Sequence, residues 1–441
     1  MKLFSVLIIL IFIHHCSFDN KTGIWKNENS LPEEKNDIFK EFKTLSSTST
    51  PFEKIIPIDK NFKFLLSNPT TNTKWNDIYF SESNNYKNFK YNDLNKYIYK
   101  SKKLTKYKIN NSILLNDNNL IISDIKGNLI IFSITKNKVI TKYNFYKKKY
   151  KHIPKTLNFI VEKKIIYVSD NIGFLYAFDM NKNKIIWAKN YKIPFKSNLK
   201  ISNNKLIAAN QNNDLLFFEK ENGDTLRQIP TEQTTVKNEF INNLSLHNEK
   251  LFFLNTYGSL YSVNTKKMNI NWFINLNQSL DLKPSKLFTG SKIINYKNKL
   301  VVSSNNFTYV LDNSSGTIIF KKNFSSLVKP IVYNGYLFLI TKKNLLIAMN
   351  LNNTSIIYSY DIKERIFNFV NLKKKNLEYN GLFIVNNKIF IFLKDSHLLK
   401  FDLNGEIKSV NRLKPKTNSK PIFVNNSMMF LDFKNKLTII D

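Results

Sequence analysis

The chain has one cysteine, Cys16, in 441 residues. No disulfide can form within it, and no thiolate set exists to hold zinc or run dithiol chemistry. Arginine is nearly as scarce: Arg227, Arg365 and Arg412 are the only three, leaving 64 lysines among the 67 basic residues. A formal net charge of +34 and a pI near 9.8 would by themselves suggest nucleic acid. Bidentate reading of phosphates and base edges favours arginine, however, and these lysines are scattered through turns and strand edges. Lys, Asn, Ile and Phe are enriched together. We therefore read the charge as a solvated surface on a biased composition, with no nucleic-acid partner; a polyanion-binding face or an attraction to anionic lipid is the alternative. No G-x-S-x-G, P-loop or D-x-D-x-D-G calcium loop is present. His14 and His15 are near the N-terminus, while His152, His247 and His397 lie far apart without ligand spacing. Neither a metal nor a cofactor is expected.

Long hydrophobic runs are also missing after Ile13. Even "YLFLITKKNLLIAMNL" (residues 336–351) is split by Lys342 and Lys343, so no permanent membrane-spanning helix is expected. The one long run is "LFSVLIILIFI" (residues 3–13), which follows Lys2 and ends just before Cys16. A basic start and 11 apolar residues make a secretory signal over residues 1–15. The arrangement resembles a bacterial lipoprotein signal, in which the cysteine carries the lipid after cleavage. Here His14 and His15 stand where that pattern has small residues. By the same resemblance, Ser17 after the cysteine implies the outer membrane, facing the periplasm. Residues 16–94 then form a lipidated tether and extension. Its 19–75 stretch is rich in Ser, Thr, Asn, Pro and charge and is expected to pack loosely, with a short helix near residues 36–45.

With 42% hydrophobic residues the chain can bury a core. What fills residues 95–441 is a repeat. "NNLIISDIKGNLIIFSI", "KKIIYVSDNIGFLYAFD" and "EKLFFLNTYGSLYSVNT" are three of eight copies of strand, tight turn, strand. The copies begin near residues 118, 163, 203, 248, 297, 334, 386 and 426, about 44 residues apart. A period in this range with about four short strands per unit indicates an all-β fold, an eight-bladed β-propeller. Where some copies carry Gly127, Gly173 or Gly258 at the turn, others carry Asn213, Asn306, Asn344 or Asn435. Asparagine is the best substitute where the backbone needs positive φ, which explains so many hairpins with only ten glycines. The eighth copy stops at Asp441 without its outer strand, and a spare strand exists upstream in "NKYIYKSKKL" (residues 95–104). This N-terminal strand is expected to close the ring. Trp187 and Trp272 each lie 14 residues after the turn glycine of their copy, as wedges between adjacent blades.

"GFLYAFDMNKNKIIW", "GSLYSVNTKKMNINW" and "VLDNSSGTIIF" resemble the repeat of quinoprotein (PQQ-like) propellers. Two groups share it: quinone-dependent dehydrogenases, and the BamB family of outer-membrane assembly factors. The dehydrogenases carry an adjacent cysteine pair and calcium-binding carboxylates, neither of which is found here. The resemblance to the BamB family implies a non-catalytic lipoprotein scaffold of the outer-membrane β-barrel assembly machinery. Its implied partners are the POTRA domains of a BamA-like barrel protein and nascent outer-membrane proteins. By that resemblance the contact loops are "KIPFKSN" (residues 192–198) and "TVKNEFINN" (residues 235–243), with Phe195 as an apolar anchor and Lys196 and Glu239 as charged contacts. The other readings are a quinone-binding oxidoreductase-like propeller and another membrane-anchored interaction propeller.

Overall fold

The computed structural model describes residues 52–146, 148–232, 241–277, 292–304, 306–371 and 376–441, and the backbone of Cys16–Phe18 and Trp25–Asn27. The chain forms two units, Met1–Ser49 and Thr50–Asp441. In the first, Cys16–Phe18 pairs antiparallel with Trp25–Asn27. The helix expected near residues 36–45 lies outside the described residues.

The second unit is an eight-bladed propeller. Each blade is an antiparallel sheet of four strands, lettered A to D from the axis outward. Blade 1 spans residues 114–144, blade 2 157–190, blade 3 200–229, blade 4 243–275, blade 5 294–322, blade 6 331–361 and blade 7 379–412. Blade 8 takes Ile422–Val424, Ser427–Leu431 and Leu437–Ile440 from the C-terminus and Tyr97–Lys100 from upstream of blade 1. The A strands of adjacent blades touch around the axis from blade 3 to blade 7.

Local chemistry explains the hairpins. Strands B and C are short runs of Ile, Leu, Val and Phe, buried on both faces because each blade stacks on its neighbours. The A–B turns use asparagine at positive φ: Asn203 and Asn204, Asn386 and Asn387, and Asn425 and Asn426 each supply both central residues. That geometry belongs to the tight turn whose twist matches the strands. At the B–C turns Gly127, Gly173 and Gly258 sit at positive φ, and so do Asn213, Asn344 and Asn435, as the sequence predicts.

Ring closure follows the same rules as the covalent blades. In all eight, the C–D ladder slips by one residue at a bulge near its outer end, for example between Ala177 and Phe178. In blade 8 the slip falls between Ile439 and Ile440, against Tyr97–Lys100. The distant N-terminal strand thus reproduces the register and the irregularity of the others. The wedges are also in place. Trp187 donates from Nε1 to the Lys220 carbonyl at 2.8 Å and lies flat against Gly223 of blade 3. Trp272 lies in the same way against Gly316 of blade 5.

Among the described residues one α-helix, α1 (Ile362–Val370), joins blades 6 and 7. Asp361 caps it by accepting from the amides of Lys363 and Glu364, and Ile362 and Ile366 bury one side.

Candidate functional site

The extension does not pack loosely from Phe52 onward. Trp75 and Phe89 are buried in the main core, and residues 72–92 run past the inner strand of every blade. Trp75 exchanges both backbone bonds with Leu115 of blade 1, and the Val161 amide of blade 2 donates to the Asn76 carbonyl. Asp77 meets Lys200 of blade 3. The amide of Asn84 donates to the carbonyls of Leu244 and Ile293, on blades 4 and 5, at 2.8 and 2.9 Å. Asn85 exchanges two bonds with Val332 of blade 6. Asn88–Phe89 adds a short parallel strand to blade 7, and the Asn425 amide of blade 8 donates to the Asn72 carbonyl. A segment that reaches all eight inner strands must lie across one end of the axis. It is a plug.

Asparagine suits this position because each inner strand has backbone groups with no further strand to bond, and a carboxamide satisfies a donor and an acceptor together. Polar residues here act as fasteners.

Beneath the plug the lining is cationic. Lys200 has no exposed side-chain surface and donates to Asp77 Oδ2 at 2.7 Å, Asn84 Oδ1 at 2.8 Å and the Ser81 carbonyl at 3.0 Å. Lys329 donates to the Asn84 carbonyl and sits 3.0 Å from the ring centre of Tyr86. Lys292 lies 5.1 Å from the ring centre of Tyr79. Burial holds Lys329 well below the usual lysine range, and the charges of Lys420 and Lys200 lower it further against the opposing pull of Asp77. Burial brings Lys292 to about 8. Burial and then the charge of Lys292 bring Lys420 to about 8 as well. Lys420 keeps contact with solvent, which softens its shift without reversing it. A cleft of about 580 Å³ opens between the plug and blades 2 to 4, bordered by Lys74, Lys87, Glu82, Glu162 and His247.

This donor set is the opposite of a calcium–quinone site, which needs carboxylates around a cation. Among the described residues no group of three His, Cys, Asp or Glu side chains could hold a metal. The residues present do not fit that group.

The structure places the loop residues singled out from sequence differently from expectation. Phe195 is 2% exposed and packs edge-on against Tyr191 and Phe218 within the seam of blades 2 and 3. The reason is local: residues 194–196 run along the end of blade 3, with Phe195 bridged to Asn210, so the segment continues the sheet edge. Phe195 is a core residue and offers no anchor at the rim. Lys196 is half-buried, and its backbone bonds Ala209 and Asn242. Glu239 lies outside the described residues, as does the side chain of Cys16. Sequence reasoning missed the plug asparagines and the carboxylate or amide three residues before the turn glycine or asparagine of five blades, as in "DIKG", "DNIG" and "DFKN". Asp170 Oδ1, for instance, accepts from the amides of Ile172, Gly173 and Phe174. That D/N-x-x-G/N spacing was available in the sequence.

Residues 147–360 match the family model described as outer membrane protein assembly factor BamB. No curated protein sequence matches the chain at a significant level. Among solved structures, BamB from Moraxella catarrhalis superposes with a TM-score of 0.61 at 12% identity, covering 77% of this chain and 99% of that one. A europium-containing methanol dehydrogenase gives 0.60 at 10% identity, with 83% and 89% covered. The quinohemoprotein alcohol dehydrogenase from Comamonas testosteroni gives 0.58 at 10% identity, with 83% and 80% covered. At these identities the superpositions speak for the PQQ-like propeller fold alone. The chain is a PQQ-like propeller, and its blades 2 to 6 are similar to the BamB family.

Proposed function

We propose that this protein is a non-catalytic lipoprotein scaffold of the outer-membrane β-barrel assembly machinery. In this reading residues 1–15 are a signal peptide, and Cys16 carries the lipid that holds the propeller at the outer membrane, facing the periplasm. The propeller docks the POTRA region of a BamA-like barrel protein and assists insertion of outer-membrane proteins. The observation that carries the reading is the BamB family match over residues 147–360. One further feature supports it. The axis is closed by the chain's own residues 72–92, a rigid arrangement that suits a docking platform. In this reading Lys196 and Glu239 are charged partner contacts, whereas Phe195, buried in the seam of blades 2 and 3, is no anchor.

The test is purification of the full chain from membranes, with the mass of the Cys16 peptide measured. Recovery of a diacylated or triacylated Cys16 peptide and of a BamA-like barrel partner is expected. A soluble, unlipidated protein without that partner would sink the proposal. Reduction of a dye on addition of quinone and an alcohol would instead favour the oxidoreductase reading.

A further inference from the structure

On the rim where blade 1 meets blade 2, a cavity of about 300 Å³ is lined by four lysines, Lys126, Lys148, Lys151 and Lys155. Lys126 belongs to the B–C turn of blade 1. Lys148 opens the 3₁₀ turn Lys148–Tyr150, and Lys155 leads into blade 2. Tyr107 and Tyr146 complete the wall. Lys155 is the fixed member: it is 2% exposed, donates to the Tyr150 carbonyl and lies 5.0 Å from the ring centre of Tyr146. The Lys126 ammonium lies 6.0 Å from the ring centre of Tyr107.

Two carboxylates are close, and both are engaged in turns. Asp124 accepts from the Thr105 hydroxyl, the Asn128 side chain and the amides of Lys126 and Asn128. Asp170 accepts from the Tyr146 hydroxyl at 2.6 Å and from three backbone amides. Among the described residues none of the four lysines forms an ion pair, whereas Lys164, Lys189 and Lys220 on blades 2 and 3 all do. Burial lowers the affinity of Lys155 for its proton and the charge of Lys126 lowers it further, with Asp170 opposing. The cluster is thus held together against its own repulsion by the fold, with an open space at its centre.

We infer that this cavity binds a phosphate group carried on a small polar headgroup. A ring of ammonium point charges around a compact space suits a tetrahedral oxyanion. Planar bidentate recognition of a carboxylate is the task of arginine, and no arginine borders this cavity. The volume stands at the lower end of ligand pockets, which limits the occupant to a headgroup.

The test is calorimetric titration of the full-length chain at physiological salt with two soluble probes, glycerol 3-phosphate and dihexanoylphosphatidylglycerol. The double variant Lys126→Gln/Lys151→Gln removes two exposed members and leaves the fold intact. Lys182→Gln/Lys184→Gln, on an exposed hairpin of blade 2, makes the same change in net charge elsewhere. Lys155→Met, checked for a retained melting transition, tests the buried member. Affinity for at least one probe should fall about ten-fold or more, equal to about 1.4 kcal/mol, in the site variants and stay within about two-fold in the control. Loss with glycerol 3-phosphate alone names a soluble phosphate ester, and loss with dihexanoylphosphatidylglycerol names a lipid headgroup. Equal losses in site and control variants would mean diffuse attraction to a basic surface and would overturn the site, as would no saturable binding of either probe.

Discussion

Asp77→Ala probes whether the plug is part of the folded propeller or merely rests on it. Asp77 is 6% exposed and Lys200 is fully buried, with their charged atoms 2.7 Å apart. At an effective dielectric constant of 20 the attraction is roughly 6 kcal/mol, against several kcal/mol of desolvation for each ion. The pair therefore contributes little net stability, but losing one partner strands a buried charge, which costs about 3–5 kcal/mol. Asn84 Oδ1 and the Ser81 carbonyl still accept from Lys200, so we expect the lower end, about 3 kcal/mol. Those two acceptors also belong to the plug, so relief by release of residues 72–92 is expected. The assay is urea unfolding at neutral pH together with limited proteolysis. Cleavage within residues 52–94 should precede cleavage of the blades in the variant and not in the parent. Asp77→Leu combined with Lys200→Met should recover most of the loss, because an apolar pair of similar volume replaces the ions without their desolvation. A loss below about 1 kcal/mol for Asp77→Ala, with unchanged proteolysis, would show that the pair is solvated and the plug is not seated.

The wedge predicts that Gly223→Ala costs about 2–4 kcal/mol: a Cβ would stand 2.7 Å from two Trp187 ring carbons at φ +80°, combining left-handed strain with overpacking. Denaturation of this variant within about 0.5 kcal/mol of the parent would refute the packing. Deleting residues 427–441 leaves Tyr97–Lys100 without a partner and opens the ring, so the cooperative melting transition should be lost; an unchanged transition refutes closure. Burial brings Lys292 to about 8 and lowers the more exposed Lys420 in the same direction, so the unfolded chain binds more protons between about pH 8 and 10. Stability should therefore rise from pH 7.5 toward 9.5, and Lys292→Met/Lys420→Met should flatten that rise when urea midpoints are compared. Glu232 works in the other direction. Burial alone would raise it, but bonds from Ser259, Tyr261 and Asn255 hold it below the usual range. Its stability is present above the unfolded carboxylate value and lost as pH falls through the folded one, so Glu232→Gln should lessen acid sensitivity between pH 5 and 3.

The propeller was legible because each blade is written locally. Eight apolar pairs of strands, most of them broken by glycine or asparagine, need only short-range rules, and the copy starts fall at the A–B turns of the structure. The spare strand at residues 95–104 was legible by subtraction. The plug was not, because composition was read as packing strength. Ser, Thr, Asn and Pro signal a loose extension when burial is assumed to require apolar side chains. Here Asn84, Asn85 and Asn88 are the groups that bind, and they bond backbone groups of blades more than a hundred residues away, Asn88 bonding the side chain of Asn387 as well. No local pattern marks such a partner. Phe195 failed for a related reason: a turn-like "KIPFKSN" that reads as an exposed loop is tied along blade 3 by Lys196 and Gln211 backbone bonds. Helix α1 carried a readable signal, Asp361 three residues before Glu364 with Ile362 and Ile366 one turn apart, inside a stretch otherwise dominated by strands.

Eight similar blades present eight similar rims, so a binding site must arise where the symmetry breaks. Three breaks stand out among the described residues. The plug gives the axis one closed end and gathers its lysines beneath it. Helix α1 replaces a short loop between blades 6 and 7 and leaves Phe369 and Val370 exposed. The 3₁₀ turn between blades 1 and 2 brings two lysines, Lys148 and Lys151, over a cavity. Each break is held by bonds that the repeat itself does not use: asparagine to inner-strand backbone, an aspartate helix cap, a lysine to the carbonyl of its own turn. The repeat thus accounts for the frame, and the departures from it are where partner and ligand chemistry should be sought. A substitution in the B or C strands should act on stability in every assay alike. A substitution of an exposed side chain at one of the breaks, such as Lys126 or Phe369, should leave unfolding nearly unchanged while altering a single binding readout, whereas a buried plug residue such as Asp77 acts on stability.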